Sequence, residues 1–407
     1  MNTSPAVSIA NDLAQWAVNL QPSSEDMDLA ARSLLDTVAV TIAGRNQSAT
    51  KLSKELTEGG HWAVAAHILD FDDLHMESTT HISAVCVPTI LTMGGKARDY
   101  LAAAGVMARL GVALGWSHYS SGWHSTCTAG APAAAVGAGI ILGLGADQLA
   151  IAMALAVPGA GGNSRAFGTD SKSLQVGFAV ETGVRAAHLA AAGATADVTA
   201  VDEWLGMVGG DLLSIDLTGE AIPGGLATKV YPCCYAMQRP ISALAELRGR
   251  LDPSKVTKII LKTPEATVAP LIHHQPTTGL QAKFSLEYAV ATALLDSHQG
   301  FSSFTDDAIQ RQNVQDLIDL VEVQLTPGGD WLLAGEFEAE VQTADKVLRI
   351  SSKFPLGSPQ RPISPAQLRS KVEDCLSGTS VLEEDINWES ASSILRSFPS
   401  LKSARSI

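Results

Sequence analysis

Residues 84–227 constrain the fold most: apolar segments at helical spacing follow one another there with little but glycine between them. In order they read "VPTILTMGGKARDYLAAAGVMARLGVAL", "AGAPAAAVGAGIILGLG", "ADQLAIAMALAVPGAGG" and "SLQVGFAVETGVRAAHLAAAGA". Small residues recur every three or four positions, so helices built from these segments can approach closely, as in a buried bundle. Asp147 is placed to cap one of them. Upstream, residues 5–45 hold two helices, and "SSEDMDLAARSLLDTVAVTIAG" offers Ser23 or Ser24 as cap, acids in the first turn and Gly44 as the stop.

Near Lys229 the period changes. Segments 256–263, 320–327, 336–344 and 346–354 alternate apolar and polar residues and are rich in β-branched side chains, so they read as strands. Helical patterns at 284–296 and 306–320 lie between them. A Pro/Ser/Gly-rich linker, "PLGSPQRPISP", precedes further helical patterns that are expected to pack back on the first domain. The expected fold class is therefore mainly α: a large all-helical domain, residues 1–228 plus 363–407, with a smaller α+β domain at residues 229–362.

The formal net charge of −14 over 407 residues, with no cluster of Lys or Arg, argues against a nucleic-acid partner. Cys86, Cys127, Cys233, Cys234 and Cys375 have neither zinc-site nor secreted-scaffold spacing, which points to a reducing, cytoplasmic setting. The first twenty residues lack a basic stretch followed by an apolar run, so no secretory signal is expected. The uncharged run 129–146 is nominally long enough to span a membrane. It is mostly Ala and Gly, contains Pro132 and lacks flanking Lys/Arg asymmetry, so a buried central helix is expected and no membrane partner.

The chemistry is concentrated in "HILDFDDLHMESTTHIS", residues 67–83, with three histidines and four acids. Apolar Ile68, Leu69 and Phe71 make it the end of a half-buried helix running into a loop, with His67, Asp70 and Leu74 or Asp73 on one side at helical spacing. From the window alone, a solvated turn, an acid/base site and a metal site all remain open. The spacing matches no zinc or calcium motif, so no metal ligand set is assigned. Elsewhere the glycine runs fail as G-x-G-x-x-G, and neither a Walker loop nor a G-x-S-x-G elbow is present.

Four separated stretches, "AHILDFDDLHMESTTHIS", "GWHSTCTAGAPAAAVGAGIILGLGADQL", "SKSLQVGFAVETGVRAAHLAAAGAT" and "TKVYPCCYAMQRPISAL", agree in order and spacing with segments of one family. The chain resembles the MmgE/PrpD superfamily over roughly residues 10–400. That superfamily includes 2-methylcitrate dehydratase, cis-aconitate decarboxylase and iminodisuccinate epimerase. The resemblance implies a helical domain with a smaller lid domain, an active site in the cleft between them, a homodimer and no organic cofactor. It also implies a small carboxylate substrate, with Asp70, His81, His124, Lys172 and Tyr288 as catalytic residues and Lys229, Cys234 and Leu74 lining the substrate site.

Independently of the family, proton abstraction next to a carboxylate needs a base that is neutral near physiological pH and an acid opposite it. Histidine suits both. Lys172 and Lys229 could stabilise the charge that develops on the carboxylate. His67 and His75 are expected to orient Asp70 and the loop, and Cys233 and Cys234 to pack.

Several features depart from the family pattern. Leu74 stands where Thr is usual, Ile82 replaces a Pro, Gln238 replaces a frequent His, and about thirty residues are missing before His61. These suggest a more apolar substrate or lost activity. The expected activity is a lyase or isomerase, with dehydration of a citrate-like acid ahead of epimerisation and decarboxylation. A catalytically silent dimeric binding protein is the rival from another class.

Overall fold

Ser8 opens the first helix, α1 (Ile9–Asn19), by accepting the Ala10 amide on its hydroxyl. In α2 (Ser24–Gly44) the cap is Ser23, whose side chain accepts from Asp26 N while the Asp26 carboxylate accepts the Ser23 amide. Such reciprocal capping fixes the start of a helix. The structure is a computed structural model and describes residues 8–404 apart from 328 and 330. Its first unit comprises residues 1–164, 170–227 and 364–407, and its second residues 165–169 and 228–363.

In the first unit α3 (Glu58–His67), α4 (Ile82–Met93), α5 (Ala97–Ser120), α6 (Ser125–Ile141), α7 (Ala146–Ala156) and α8 (Asp170–Ala191) form the bundle. Every residue of α6 from 125 to 139 is buried, which suits a helix apolar all round. It is the central helix expected within 129–146. Its approach to α8 depends on Gly183, where an added Cβ would stand 2.4 Å from the Ala131 carbonyl oxygen. α5 is long and apolar enough to cross a membrane, yet most of it is buried in the unit and it kinks at Gly115, which has φ 66°. α7 is capped at Gly145, and Asp147 lies in its first turn instead of at the cap.

The second unit begins its regular structure with α9 (Tyr235–Ala245), followed by strand β1 (Val256–Pro264) and α10 (Leu286–Leu295). Strands β2 (Val321–Thr326), β3 (Phe337–Thr343) and β4 (Val347–Ser352) complete one sheet in the order β2-β1-β3-β4. β1 runs parallel to β2, with Ile259 opposite Val321, and antiparallel to β3, with Ile259 opposite Val341. Ile259, Leu261, Phe337, Ala339 and Val341 are buried on one face, the alternation that made these strands legible. The helix expected over 306–320 is broken into Asp306–Ile309 and Gln312–Ile318, because Arg311 takes an extended ψ of 120°.

The chain then re-enters the first unit as α11 (Pro365–Leu376), packed on α2, and α12 (Ala391–Ser397). Its last described turn is tied to α3: Trp62 Nε1 donates to Leu401 O at 2.9 Å and His61 Nε2 to Ser400 O at 3.0 Å.

Candidate active site

The helix carrying the acid-and-histidine window stops at His67, and Asp70 adopts a left-handed φ of 53°. Asp tolerates that region better than most residues, and the turn replaces the helical register expected to align residues 67, 70 and 74. Thr79 also has φ 53°, an unfavourable setting for a β-branched residue. The strained turn around it is held by His75, whose Nε2 donates to Pro223 O and whose Nδ1 accepts from Ser78, both at 2.7 Å. His75 is thus architectural. Leu74 is buried and pairs through its backbone with Ala227.

Two further histidines stand at helix starts. His81 is the N-cap of α4, its amide donating to Thr126 Oγ1 at 3.0 Å, and His124 is the N-cap of α6, its amide donating to Gly162 O at 3.2 Å. Gly162 has φ 111°, and a Cβ there would come within 2.7 Å of Cys127 Cβ and 3.0 Å of His124 Cβ. Only glycine lets this backbone support the histidine so closely.

Asp72 is the hub of the cluster. His67 Nδ1 lies 2.7 Å from Asp72 Oδ2, and His81 Nδ1 lies 3.0 Å from the same oxygen. The Lys172 ammonium, on the first turn of α8, donates to His67 Nε2 at 2.9 Å and sits 3.3 Å from Asp70 Oδ1. The remaining nitrogen of His81, Nε2, is 3.9 Å from Asp70 Oδ1. The His124 ring centre is 5.6 Å from that of His67, and Cys127 Sγ lies 3.3 Å from His124 Nδ1. The sequence-expected Asp70, His81, His124 and Lys172 therefore meet in one place. Asp72 and His67 join them, one unassigned by the sequence and the other read only as an orienting residue.

These contacts fix protonation. Burial pushes the His67 imidazole below its ordinary range, against the pull of Asp72, and its two partners settle the tautomer with Nδ1–H donating and Nε2 accepting. Burial, with His67 and Lys172 nearby, holds His124 well below the usual histidine value, so it is neutral at pH 7. Burial alone would raise the Asp72 carboxyl, but the His67 and His81 imidazoles hold it well below the normal range. Cys127 is pushed up by burial and stays a thiol. His67, Asp72 and His81 also present three ligand atoms within 4.8 Å of one another, so among the described residues they are the set that could hold a divalent metal. The 2.7 Å His67–Asp72 separation is that of a hydrogen bond.

Lys229, Cys234 and Tyr288 belong to the second unit. Lys229 is fully buried. Cys234 is the N-cap of α9, its amide donating to Lys283 O at 3.0 Å. Tyr288 is fully buried on α10 and its hydroxyl donates to the Ser303 carbonyl, with burial raising the phenol to about 12. That is the setting of a core tyrosine. Gln238, which stands where the family frequently has histidine, ties down the turn before α9, accepting the Val230 and Tyr231 amides at 3.1 Å.

The chain belongs to the MmgE/PrpD family: the MmgE/PrpD N-terminal domain matches residues 61–210 and the C-terminal domain residues 231–392. Among individual proteins it is similar to cis-aconitate decarboxylase of Aspergillus terreus, 25% identical over 387 aligned residues that cover 84% of this chain and 78% of that one. Cis-aconitate decarboxylase of Homo sapiens is 23% identical over 295 residues, covering 65% of this chain and 60% of the relative. The Mus musculus protein of that name is 25% identical over 296 residues, covering 65% and 59%. Family and relatives together support an enzyme of the MmgE/PrpD type.

Proposed function

We propose that the protein is a cofactor-independent lyase that transfers a proton at a carbon next to a carboxylate, and that it decarboxylates a small cis-aconitate-like polycarboxylic acid. The observation that carries this reading is the buried chain of contacts Asp70–Lys172–His67–Asp72–His81 beside a neutral His124. The relatives favour decarboxylation over the dehydration that the sequence placed first.

In this mechanism the bond from the carbon skeleton to one carboxylate breaks, carbon dioxide leaves, and the electron pair stays on the skeleton, delocalised toward a neighbouring carboxylate. A protonated imidazole then delivers its proton to carbon. The sum consumes one proton and needs no oxidant or reductant. His81 suits the donor's role, because a proton on it faces Asp72 through one nitrogen and Asp70 through the other. His124, held neutral, is the partner that accepts or relays a proton. Lys172 counters the charge that grows on the retained carboxylate, and its contact with His67 keeps it oriented. His81 and Lys172 keep 7% and 6% of their surface exposed, whereas Asp72 and His67 have none, so the first two are the groups a substrate can reach.

Incubation with cis-aconitate and a panel of citrate-like acids in deuterated water tests the proposal. Release of carbon dioxide with one deuterium fixed in the product is expected. Loss of water, or deuterium uptake with an unchanged skeleton, would replace decarboxylation by dehydration or epimerisation. No turnover and no exchange at any carbon would sink the lyase reading as a whole.

A further inference from the structure

Lys371 lies on α11, far in sequence from the acid-and-histidine window, and is buried with 7% of its surface exposed. Its ammonium is 2.6 Å from Asp36 Oδ1 on α2 and donates to the Phe71 carbonyl at 2.8 Å. It also lies 4.0 Å from the centre of the Phe71 ring. The Phe71 carbonyl is the backbone between Asp70, which meets Lys172, and Asp72, which meets His67 and His81. A buried ammonium is costly unless it is paired and hydrogen-bonded, and here it has a carboxylate, a carbonyl and a ring face.

We propose that Lys371 is a positioning residue for the site. It holds the Phe71 peptide so that Asp70 keeps its left-handed turn and the two flanking carboxylates point to their separate partners. Asp36 anchors the ammonium from below, and α2 is itself fixed at its start by the Ser23–Asp26 cap. The consequence for catalysis rests on the acid/base reading above, whereas the consequence for the geometry of the histidines does not.

The test compares Lys371→Met with the double variant Asp36→Asn/Lys371→Met. The single variant strands the Asp36 carboxylate in the interior and is expected to melt much earlier. The double variant removes both charges and is expected to melt close to the wild type. In the double variant kcat for the acid turned over by the wild type is expected to fall about 10- to 100-fold with KM changed less than about threefold. In the free protein, nitrogen NMR of 15N-labelled histidine is expected to show His67 losing its single Nδ1–H tautomer. Wild-type kcat together with an unchanged His67 signal in the double variant would overturn the proposal. So would a double variant that melts as early as the single one, because the pair would then be a requirement of the fold. If the wild type turns over none of the acids, the lyase reading fails while the His67 signal still decides the role of Lys371.

Discussion

Asp72 and Asp73 are adjacent and both buried, and their carboxyls are shifted in opposite directions. Asp72 faces the site, where two imidazoles overcome the cost of burial and keep it ionised. Asp73 faces the core, where burial dominates, the Ser83 bonds only partly offset it and Asp36 and Asp72 add repulsion, so its carboxyl rises to about 7. There it accepts the Ser83 amide at 3.2 Å and bonds the Ser83 hydroxyl, which in turn lies 2.8 Å from Tyr100 OH. The two neighbouring carboxylates reach different partners, Asp72 the imidazoles and Asp73 Ser83, so one dipeptide serves two regions. Burial alone does not decide whether an acid is charged; the partners on its side of the backbone do.

The site side of this contrast breaks most severely at the histidines. His81→Ala and His124→Ala are each expected to lower kcat by about 10²–10⁴ with the melting temperature nearly unchanged, as for groups that act in proton transfer. Early melting with most activity kept per folded molecule would mean that the two imidazoles only pack. Lys172→Ala should raise KM for an anionic acid as well as lower kcat, because its charge is used in binding and in the reaction. Steady-state kinetics on the wild-type substrate reads all three.

Asp72→Asn should cost about 10²-fold in kcat with a smaller change in KM. The amide keeps the shape but lacks the charge that favours a proton on His81, and one of its two ends presents a donor to the imidazoles. The same change at Asp73 should leave kcat within about threefold. Equal losses at both positions would erase the distinction between the site side and the core side.

Much of this was readable before the structure. The four strands were marked by alternation of β-branched residues, and the helices of 84–227 by the glycines that end them. His81, His124 and Lys172 were legible through the resemblance of their segments to the MmgE/PrpD superfamily, since a lone histidine at a helix start reads equally well as a cap and a lysine in a first turn as a surface group. Asp72 could not be told from Asp70, because the choice depends on the left-handed turn at Asp70, which ends the helical register. Nor could Lys371 be linked to Phe71, since nothing local marks a contact spanning 300 residues.

The core side is sharpened by pH. Asp73 has a folded-state value of about 7, above the ordinary 3.8, so the stability it contributes is fully present below 3.8 and is lost as pH rises through about 7. The lowered values of His67, His75 and His124 work the other way, their contribution being present above 6.5 and lost as pH falls below it. Asp73→Asn imitates the neutral acid at every pH. Relative to the wild type it should therefore gain on the order of 2 kcal/mol between about pH 5.5 and pH 8.5, since each tenfold difference in proton affinity between the folded and unfolded chain is worth about 1.4 kcal/mol. Urea unfolding at the two pH values measures this, and a constant difference would show that Asp73 ionises normally in the folded protein.

The smallest effect is expected at Cys127. Its thiol stays protonated and lies 3.3 Å from His124 Nδ1, so donation of the S–H to that nitrogen leaves the His124 proton on Nε2. Cys127→Ala removes the donor, allows both tautomers and leaves a small cavity, which should lower kcat several-fold and stability by about 1 kcal/mol. Cys127→Ser restores a hydroxyl donor at nearly the same place and should recover most of kcat, although the buried hydroxyl still costs stability. Equal kcat in Ala and Ser variants, both below the wild type, would assign the loss to packing. Recovery in Ser alone would assign it to the proton on His124, and would extend the lesson of Asp72 and Asp73 to an uncharged partner.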